Sequence, residues 1–448
     1  MAKVEIPPDF MAIMASKGDA VLAQLARHAA VDARGRYLHW HEFRWRVAGG
    51  IDKEVAWAAT RLARACSQHR VDDLHSEQGN ALVYAIPASL QIHLHAIDRL
   101  CAPLLETDDD AAAAGPERNR YLVDALTMEE AITSAQLEGA ATTRKIAKAM
   151  LENERLPRDE GEQMVFNNFL LMKAAKRARN EPLSVERICR LHDIATRDTG
   201  NAHVQPGRLR DHDEVVVQGL HGDVLHRPPP ASQLVSRLQQ LCAFANTAHD
   251  GLNGRPFIHP AIKAIILHFM LGYEHPFTDG NGRTARALFY WFMLRQGYWP
   301  FEYISISALL KEAPVQYGES YLFCETDTFD LTYFIDFQLR IIHRAIRQFL
   351  AHLQRKQREH AELLCWLETQ GIADTLNARQ GLLLRKALRH PGRAFTVKEV
   401  KHDFGVTENT ARADLQKLVS LQALVPAREG KTIRYIAHVD ARNLLRQT

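Results

Sequence analysis

The stretch RTARALFYWFMLRQ, residues 283–296, restricts the architectures open to this chain more than any other segment. At helical spacing it is apolar on nearly every face after its first turn, and such a helix is stable only with other elements packed around it. Elsewhere apolar residues recur at three- and four-residue spacing, as at Ile262, Ile265, Ile266 and Phe269, which supplies amphipathic helices for that packing. The expectation is a mainly α protein, a helical bundle closed around 283–296. Pro260 stands at a first helical position and opens a helix to about Tyr273, while Gly297 ends the central one.

Strands are expected in two places only. EVVVQGLHGDVLH (214–226), stopped by RPPP, reads as a β-hairpin, and ALVPAREGKTIRYIA (423–437) reads as two short strands around a Glu-Gly turn. At 448 residues the chain exceeds one ordinary core. Breaks at ETDDDAAAAGPERN (106–119) and LQRKQREHAE (353–362) divide it into an N-terminal helical region 1–119, a central region 120–345, a helical linker 346–376 and a terminal domain 377–448.

Composition narrows the classes. With 46% hydrophobic and 24% charged residues the chain is globular, and no apolar run is long enough to span a membrane. The start MAKVEIPPDF lacks the pattern of an export signal, so a cytoplasmic location is expected. Six scattered cysteines without a C-x-x-C pair suggest neither zinc site nor disulfide framework, and His39, His41, His93 and His95 lack acidic or cysteine partners at metal-ligand spacing. Net charge is +3, but 377–448 holds 14 Lys and Arg against 6 Asp and Glu, the balance of a module that meets an anionic partner.

HPFTDGNGRTAR (275–286) gathers the chemistry. Gly280 and Gly282 permit a tight turn whose free N–H groups, at the positive end of the helix that follows, suit an anion, phosphate above all. Arg283 and Arg286, three apart, add two guanidinium forks on one side of the first turn. Asp279 would repel phosphate directly, a conflict that a bridging Mg²⁺ removes. His275 titrates near neutrality and suits the removal of a proton from an attacking hydroxyl.

These residues match H-x-F-x-[D/E]-G-N-G-R-x-x-R at every fixed position, and 120–345 thereby resembles the Fic (Fido-fold) family, with a core about 183–345. LSVERICRLHDI, PGRLRDHDEVVVQG and FDLTYFIDF share in the likeness. The resemblance implies a protein adenylyltransferase that moves AMP from ATP, with Mg²⁺, to a Tyr, Thr or Ser hydroxyl of itself or a target protein. On this chain it implies His275 as base, Asp279 as metal ligand, and Gly280, Asn281, Gly282, Arg283, Thr284, Ala285 and Arg286 around the nucleotide phosphates. The hairpin 214–226 corresponds to the family's flap, where a target segment docks, with Val216 and Val217 toward the nucleotide; a plain edge hairpin is the alternative. Near the nucleobase this chain reads APVQYG, keeping Tyr317 but not the asparagine of many relatives, which leaves base preference open.

Upstream, TMEEAITSAQLEGA (127–140) opens as the capping box Thr127-x-x-Glu130 and sets Met128, Ile132 and Ala135 on one side of a helix 127–139. Ser134, Glu138 and Gly139 resemble the family's inhibitory motif, in which a carboxylate pairs with Arg286 where the γ-phosphate belongs; a solvent-facing glutamate is the bland alternative. Relatives with such a glutamate also remove AMP from targets. The tail resembles a winged helix-turn-helix, α+β, and its third helix offers Asn409, Arg412 and Lys417 to a DNA groove, with Lys431 and Arg434 on the wing. Winged helices also dock proteins. A homodimer is compatible with all of this. The leading expectation is a self-inhibited adenylyltransferase with a DNA-binding tail; the alternative is a DNA-binding transcriptional regulator whose Fic domain senses nucleotide without turnover.

Overall fold

The helix Asn281–Arg295 is enclosed as its composition requires: every residue from Arg283 to Leu294 is buried. It packs against Pro260–Glu274, Glu160–Arg177 and Val185–Thr196. Its large side chains, Phe289, Tyr290, Trp291 and Phe292 among them, each contribute about 2 kcal/mol by leaving water. Their polar atoms find partners inside the bundle: Trp291 donates to the Ala178 carbonyl at 2.9 Å and Tyr290 to that of Ile304 at 3.0 Å. This structure is a computed structural model that describes the chain except residues 1–3, 102–127, 153, 201–203, 220–221, 253, 370–374, 390, 430–431 and 446–448. The break at 106–119, Thr127 and Lys431 lie outside the described residues.

The chain forms two compact units, Met1–Phe349 and Leu350–Thr448. The boundary falls inside the helix Thr332–Thr369, near the start of the stretch read as a linker. Among the described residues no helix is long and apolar enough to cross a membrane.

The N-terminal part of the first unit corrects the sequence reading. Beside the helices Phe10–Leu25, Lys53–Ala65 and Ala88–Cys101 it holds an antiparallel pair, Gln68–His75 with Ala81–Ala85. Val71, Leu74, Leu82 and Tyr84 face the core and Gly79 turns with φ 81°, but the alternation is short and polar enough to pass for loop. Buried Arg64 ties this region to the helical body. It donates to the Leu38 carbonyl and to the Tyr333 hydroxyl, both at 2.8 Å, and lies over the Tyr37 ring.

The hairpin expected at 214–226 is shorter than predicted. Only Val217–Gln218 and Val224–His226 pair, antiparallel, with Val217 opposite His226. In the second unit the helices Ala378–Arg389, Val397–Phe404 and Glu408–Ser420 enclose an apolar core with a three-stranded antiparallel sheet. The strands Leu424–Glu429 and Thr432–Ala437 pair as expected, and Ala394–Phe395 adds a third that the sequence reading lacked. Thr396 and Glu399 form a capping box, and Gly405 ends that helix at φ 62°, which sets the angle into Glu408–Ser420.

Candidate active site

The site begins where Pro260–Glu274 stops. His275 takes a left-handed conformation, φ 42° and ψ 57°, uncommon for a residue with a Cβ and costly by about 1–2 kcal/mol. Its Nδ1 lies 3.2 Å from the Gly272 carbonyl, which can only accept, so Nδ1 carries the proton. Nε2 is left with its lone pair. Burial pushes the His275 pKa down to about 4, which keeps the ring neutral near pH 7.

Gly280, at φ 77°, makes the second corner and caps the central helix. A Cβ there would stand 2.6 Å from Thr196 Cγ2, so glycine is required by space as well as by torsion. The first N–H groups of Asn281–Arg295 have no acceptor within the helix, an arrangement that suits an anion. Asn281 staples the loop, its Nδ2 donating to the Phe277 carbonyl at 2.8 Å while its Oδ1 accepts from the Phe277 N–H at 3.0 Å. Thr284 donates to the Gly280 carbonyl at 2.9 Å, and Ala285 is buried. The side chains of all three are engaged within the fold or buried, and the Thr284 N–H is itself bonded to the Gly280 carbonyl at 3.1 Å.

The two arginines, both 1% exposed, differ. Arg283 donates to the Ala195 carbonyl at 2.7 Å and approaches Asp279 at 3.5 Å, so its fork is partly turned inward. Arg286 faces helix 128–137. Its Nε donates to Ser134 Oγ at 3.0 Å, and its Nη2 to the Ser134 carbonyl at 3.2 Å and to Glu138 Oε1 at 2.8 Å. Burial alone would lower the Arg286 pKa; the Glu138 carboxylate outweighs it and the net direction is up. Arg286 Nη1 is buried without a partner. The Glu138 carboxylate lies directly over Gly282, where a Cβ would stand 2.2 Å from Oε1. An acid thus fills the arginine clamp at the mouth of the nest.

Helix 128–137 is bolted in place to hold that acid. Met128, Ile132 and Ala135 share one apolar cluster, as read from their spacing. Glu130 accepts from Ser305 at 2.7 Å and from the Ser307 N–H at 3.1 Å, across the bundle, while the Thr127 half of the expected capping box lies outside the described residues. Gly139, at φ 95°, turns the chain so that Ala140 N–H reaches back to the Ala135 carbonyl at 3.0 Å. Glu138 therefore projects from a fixed helix end.

The Tyr317 hydroxyl lies 2.9 Å from His268 Nε2 and within electrostatic reach of Arg286. Asp279 is half-exposed, and its Oδ1 accepts from the Gly280 N–H at 2.6 Å. Among the described residues no group of three or more metal-ligating side chains occurs. A single hard carboxylate beside a phosphate nest fits Mg²⁺, which takes one or two protein carboxylates and completes its shell with substrate phosphates and water.

Three residues that sequence reading passed over hold the loop. His192 accepts from the Gly207 N–H at 3.0 Å, stands 2.8 Å from the Asp279 carbonyl, and stacks on Phe277. Arg210 reaches the His275 carbonyl at 3.0 Å. His226, on the hairpin, bridges Glu325 at 2.8 Å and the Tyr273 carbonyl at 2.7 Å, which fixes the strand pair that holds Val217, with Val216 just before it, beside the end of the helix that leads to His275. All three lie in segments whose pattern was visible, LSVERICRLHDI, PGRLRDHDEVVVQG and EVVVQGLHGDVLH; nothing local marks them as anchors.

Comparison with known proteins places this geometry. Residues 182–293 match the Fic/DOC family, a span that contains the loop 275–286. The protein adenylyltransferase Fic of Nematostella vectensis is 34% identical over 157 residues, 34% of this chain and 31% of that protein. The protein of the same name from Drosophila melanogaster is 29% identical over 208 residues, 44% of this chain and 39% of the relative. The chain thus spans between about a third and two fifths of the length of these curated relatives. A Fic family protein from Desulfovibrio desulfuricans G20 shares the fold with a TM-score of 0.52 at 18% identity, covering 80% of this chain and 98% of that one.

Proposed function

We propose that this protein is a self-inhibited protein adenylyltransferase. The supporting observation is the Arg286–Glu138 pair at 2.8 Å, above Gly282 and beside the left-handed His275: a complete phosphate clamp with an acid seated in it. In the reaction a Tyr, Thr or Ser hydroxyl of the target attacks the α-phosphorus of ATP. The new O–P bond forms as the bond from the α-phosphorus to the bridging oxygen breaks, pyrophosphate departs, and the hydroxyl proton passes to His275 Nε2. The backbone N–H groups of 281–283 and the Arg286 fork hold the phosphates. Mg²⁺ at Asp279 supplies charge neutralisation on the phosphate oxygens when bound. The hairpin 217–226, with Val216 and Val217, registers the target strand over the site.

Glu138 is the brake. Its carboxylate takes the Arg286 contact a γ-phosphate needs, so ATP binds without the in-line geometry that transfer demands. Incubation with ATP and Mg²⁺ followed by mass spectrometry tests this: the Glu138→Gly protein gains AMP on itself or on target while the Glu138→Gly/His275→Ala protein gains none. Equal labelling of wild type and Glu138→Gly removes the brake.

The second unit is read as a winged-helix DNA-binding domain. On Glu408–Ser420 the residues Glu408, Asn409, Arg412 and Gln416 are exposed while Ala411, Leu415 and Leu418 are buried, the division a recognition helix needs. Lys417 is half-buried at its margin, and Arg434 is exposed on a strand of the sheet. Salt-dependent binding of duplex DNA, lost on deleting 377–448, tests the assignment.

A further inference from the structure

The helix Pro260–Glu274 delivers His275 at a point of stress. Its last carbonyls lack helical donors, the chain turns left-handed at a residue with a Cβ, and the lone pair of Nε2 must still point into the site. One side chain gathers this corner. Arg210, 5% exposed, donates from its backbone N–H to the Pro276 carbonyl at 2.9 Å, from Nε to the His275 carbonyl at 3.0 Å, and from Nη2 to the Glu274 carbonyl at 3.4 Å. Three successive carbonyls at the negative end of a helix dipole thus meet one residue, two of them its guanidinium and the third its backbone N–H.

The far edge of the same fork holds a different segment. Nη1 donates to the His212 carbonyl and to Asp213 Oδ1, each at 3.1 Å, and Nη2 to the Pro229 carbonyl. Residues 212–213 and 229 flank the hairpin on its two sides, and Asp213 Oδ1 accepts from the Ala231 N–H at 2.6 Å, closing its base. The planar guanidinium therefore spans the proposed general base and the root of the proposed docking hairpin. A lysine, with one rotatable ammonium, cannot bridge both.

We propose that Arg210 is the positioning residue that fixes the distance and angle between the His275 imidazole and the target hydroxyl presented by the hairpin. It touches neither nucleotide nor target, and it acts through the His275 backbone. This rests on the adenylyltransferase reading, and the test separates the two.

The experiment compares Glu138→Gly with Glu138→Gly/Arg210→Lys and Glu138→Gly/Arg210→Gln, all as full chains. AMP transfer is followed as a function of ATP, thermal unfolding is measured for each, and the His275 ring resonance is recorded with ¹³C-histidine, assigned through its loss in His275→Ala. Arg210→Lys is expected to lower kcat by about 100-fold, the scale of a misplacement near 1 Å, with KM for ATP unchanged within about twofold and the His275 resonance shifted. Undiminished kcat overturns the proposal. So does a rise in KM with kcat kept, which would put Arg210 on the nucleotide, or a loss of activity in step with the unfolded fraction in both variants. If the Glu138→Gly protein transfers no AMP, the reaction assignment fails instead, and an unshifted His275 resonance then removes the positioning role as well.

Discussion

The loop 275–286 and the helix Glu408–Ser420 both present charged side chains, yet they treat them in opposite ways. Around the loop the charge is buried and bonded in advance: Arg283 and Arg286 are 1% exposed, and Arg210 spends its whole fork on carbonyls and one carboxylate. On the terminal helix Asn409 and Arg412 stand exposed and without an intramolecular partner among the described residues. The first arrangement removes the cost of reorganising dipoles at the moment of reaction. The second defers the ordering cost until a partner arrives, which suits recognition across a surface rather than bond making. The difference is a physical argument for placing chemistry in one unit and docking in the other.

The sharpest way to break that contrast is to remove the base. In a Glu138→Gly background, His275→Ala is expected to lower AMP transfer by about 10²–10⁴-fold, the usual contribution of a positioned general base. Thermal unfolding should move little, since the ring makes one weak bond, Nδ1 to Gly272 at 3.2 Å. A variant that keeps its rate would move the chemistry away from the loop.

The brake gives the next largest effect. Glu138→Gly frees Arg286 from a charge-assisted contact of about 1.5–3 kcal/mol, and transfer is expected to rise by about 10–100-fold. Stability should move the other way: without ATP the variant leaves a buried guanidinium short of an acceptor, so its unfolding temperature falls, and ATP restores it by more than in wild type. A variant equally stable with and without ATP would show that the clamp and the nucleotide do not compete for Arg286.

A smaller effect concerns the hairpin latch. Both nitrogens of His226 face acceptors, Glu325 Oε2 and the Tyr273 carbonyl, so the ring makes both bonds only as the imidazolium. Burial pushes its pKa down, the Glu325 partner pushes it up further, and the net is above the ordinary 6.5. A raised folded-state pKa means that the stabilisation is complete below 6.5 and fades as pH climbs through the raised value. Amide exchange in the hairpin strands, after correction for intrinsic rates, should accelerate as pH rises above 6.5, and His226→Gln should abolish that dependence.

Much of the catalytic loop was legible because its requirements are local: a left-handed glycine at 280, a proton acceptor at 275 and two arginines one turn apart all fall within twelve residues. The bundle was legible for the same reason, since the apolar circumference of 283–296 admits few other folds. What the sequence hid is non-local. That Arg210 grips the 274–276 corner, that His192 stacks on Phe277, and that Glu130 reaches Ser305 are consequences of tertiary approach. The hairpin Gln68–His75 with Ala81–Ala85 was missed because the first strand buries only Val71 and Leu74, three apart, and the second is only five residues long, which makes a weak period of two.

The smallest effect probes the independence of the two regions. Arg412→Ala removes one exposed cation from the terminal helix, and if Arg412 reads a base edge it should weaken duplex DNA binding by about 1–3 kcal/mol and relax preference at one position; if it meets a phosphate, it should weaken all sequences alike and flatten the salt slope by about one. Either way AMP transfer by the Glu138→Gly protein should stay within about twofold, because nothing in the clamp depends on that side chain. Saturating DNA supplies the converse arm. A change in transfer rate on adding DNA, absent in Glu138→Gly/Arg412→Ala, would mean that occupancy of the terminal helix reaches the Arg286–Glu138 pair, and the division between a preorganised catalytic unit and a separate docking unit would give way to a coupled switch.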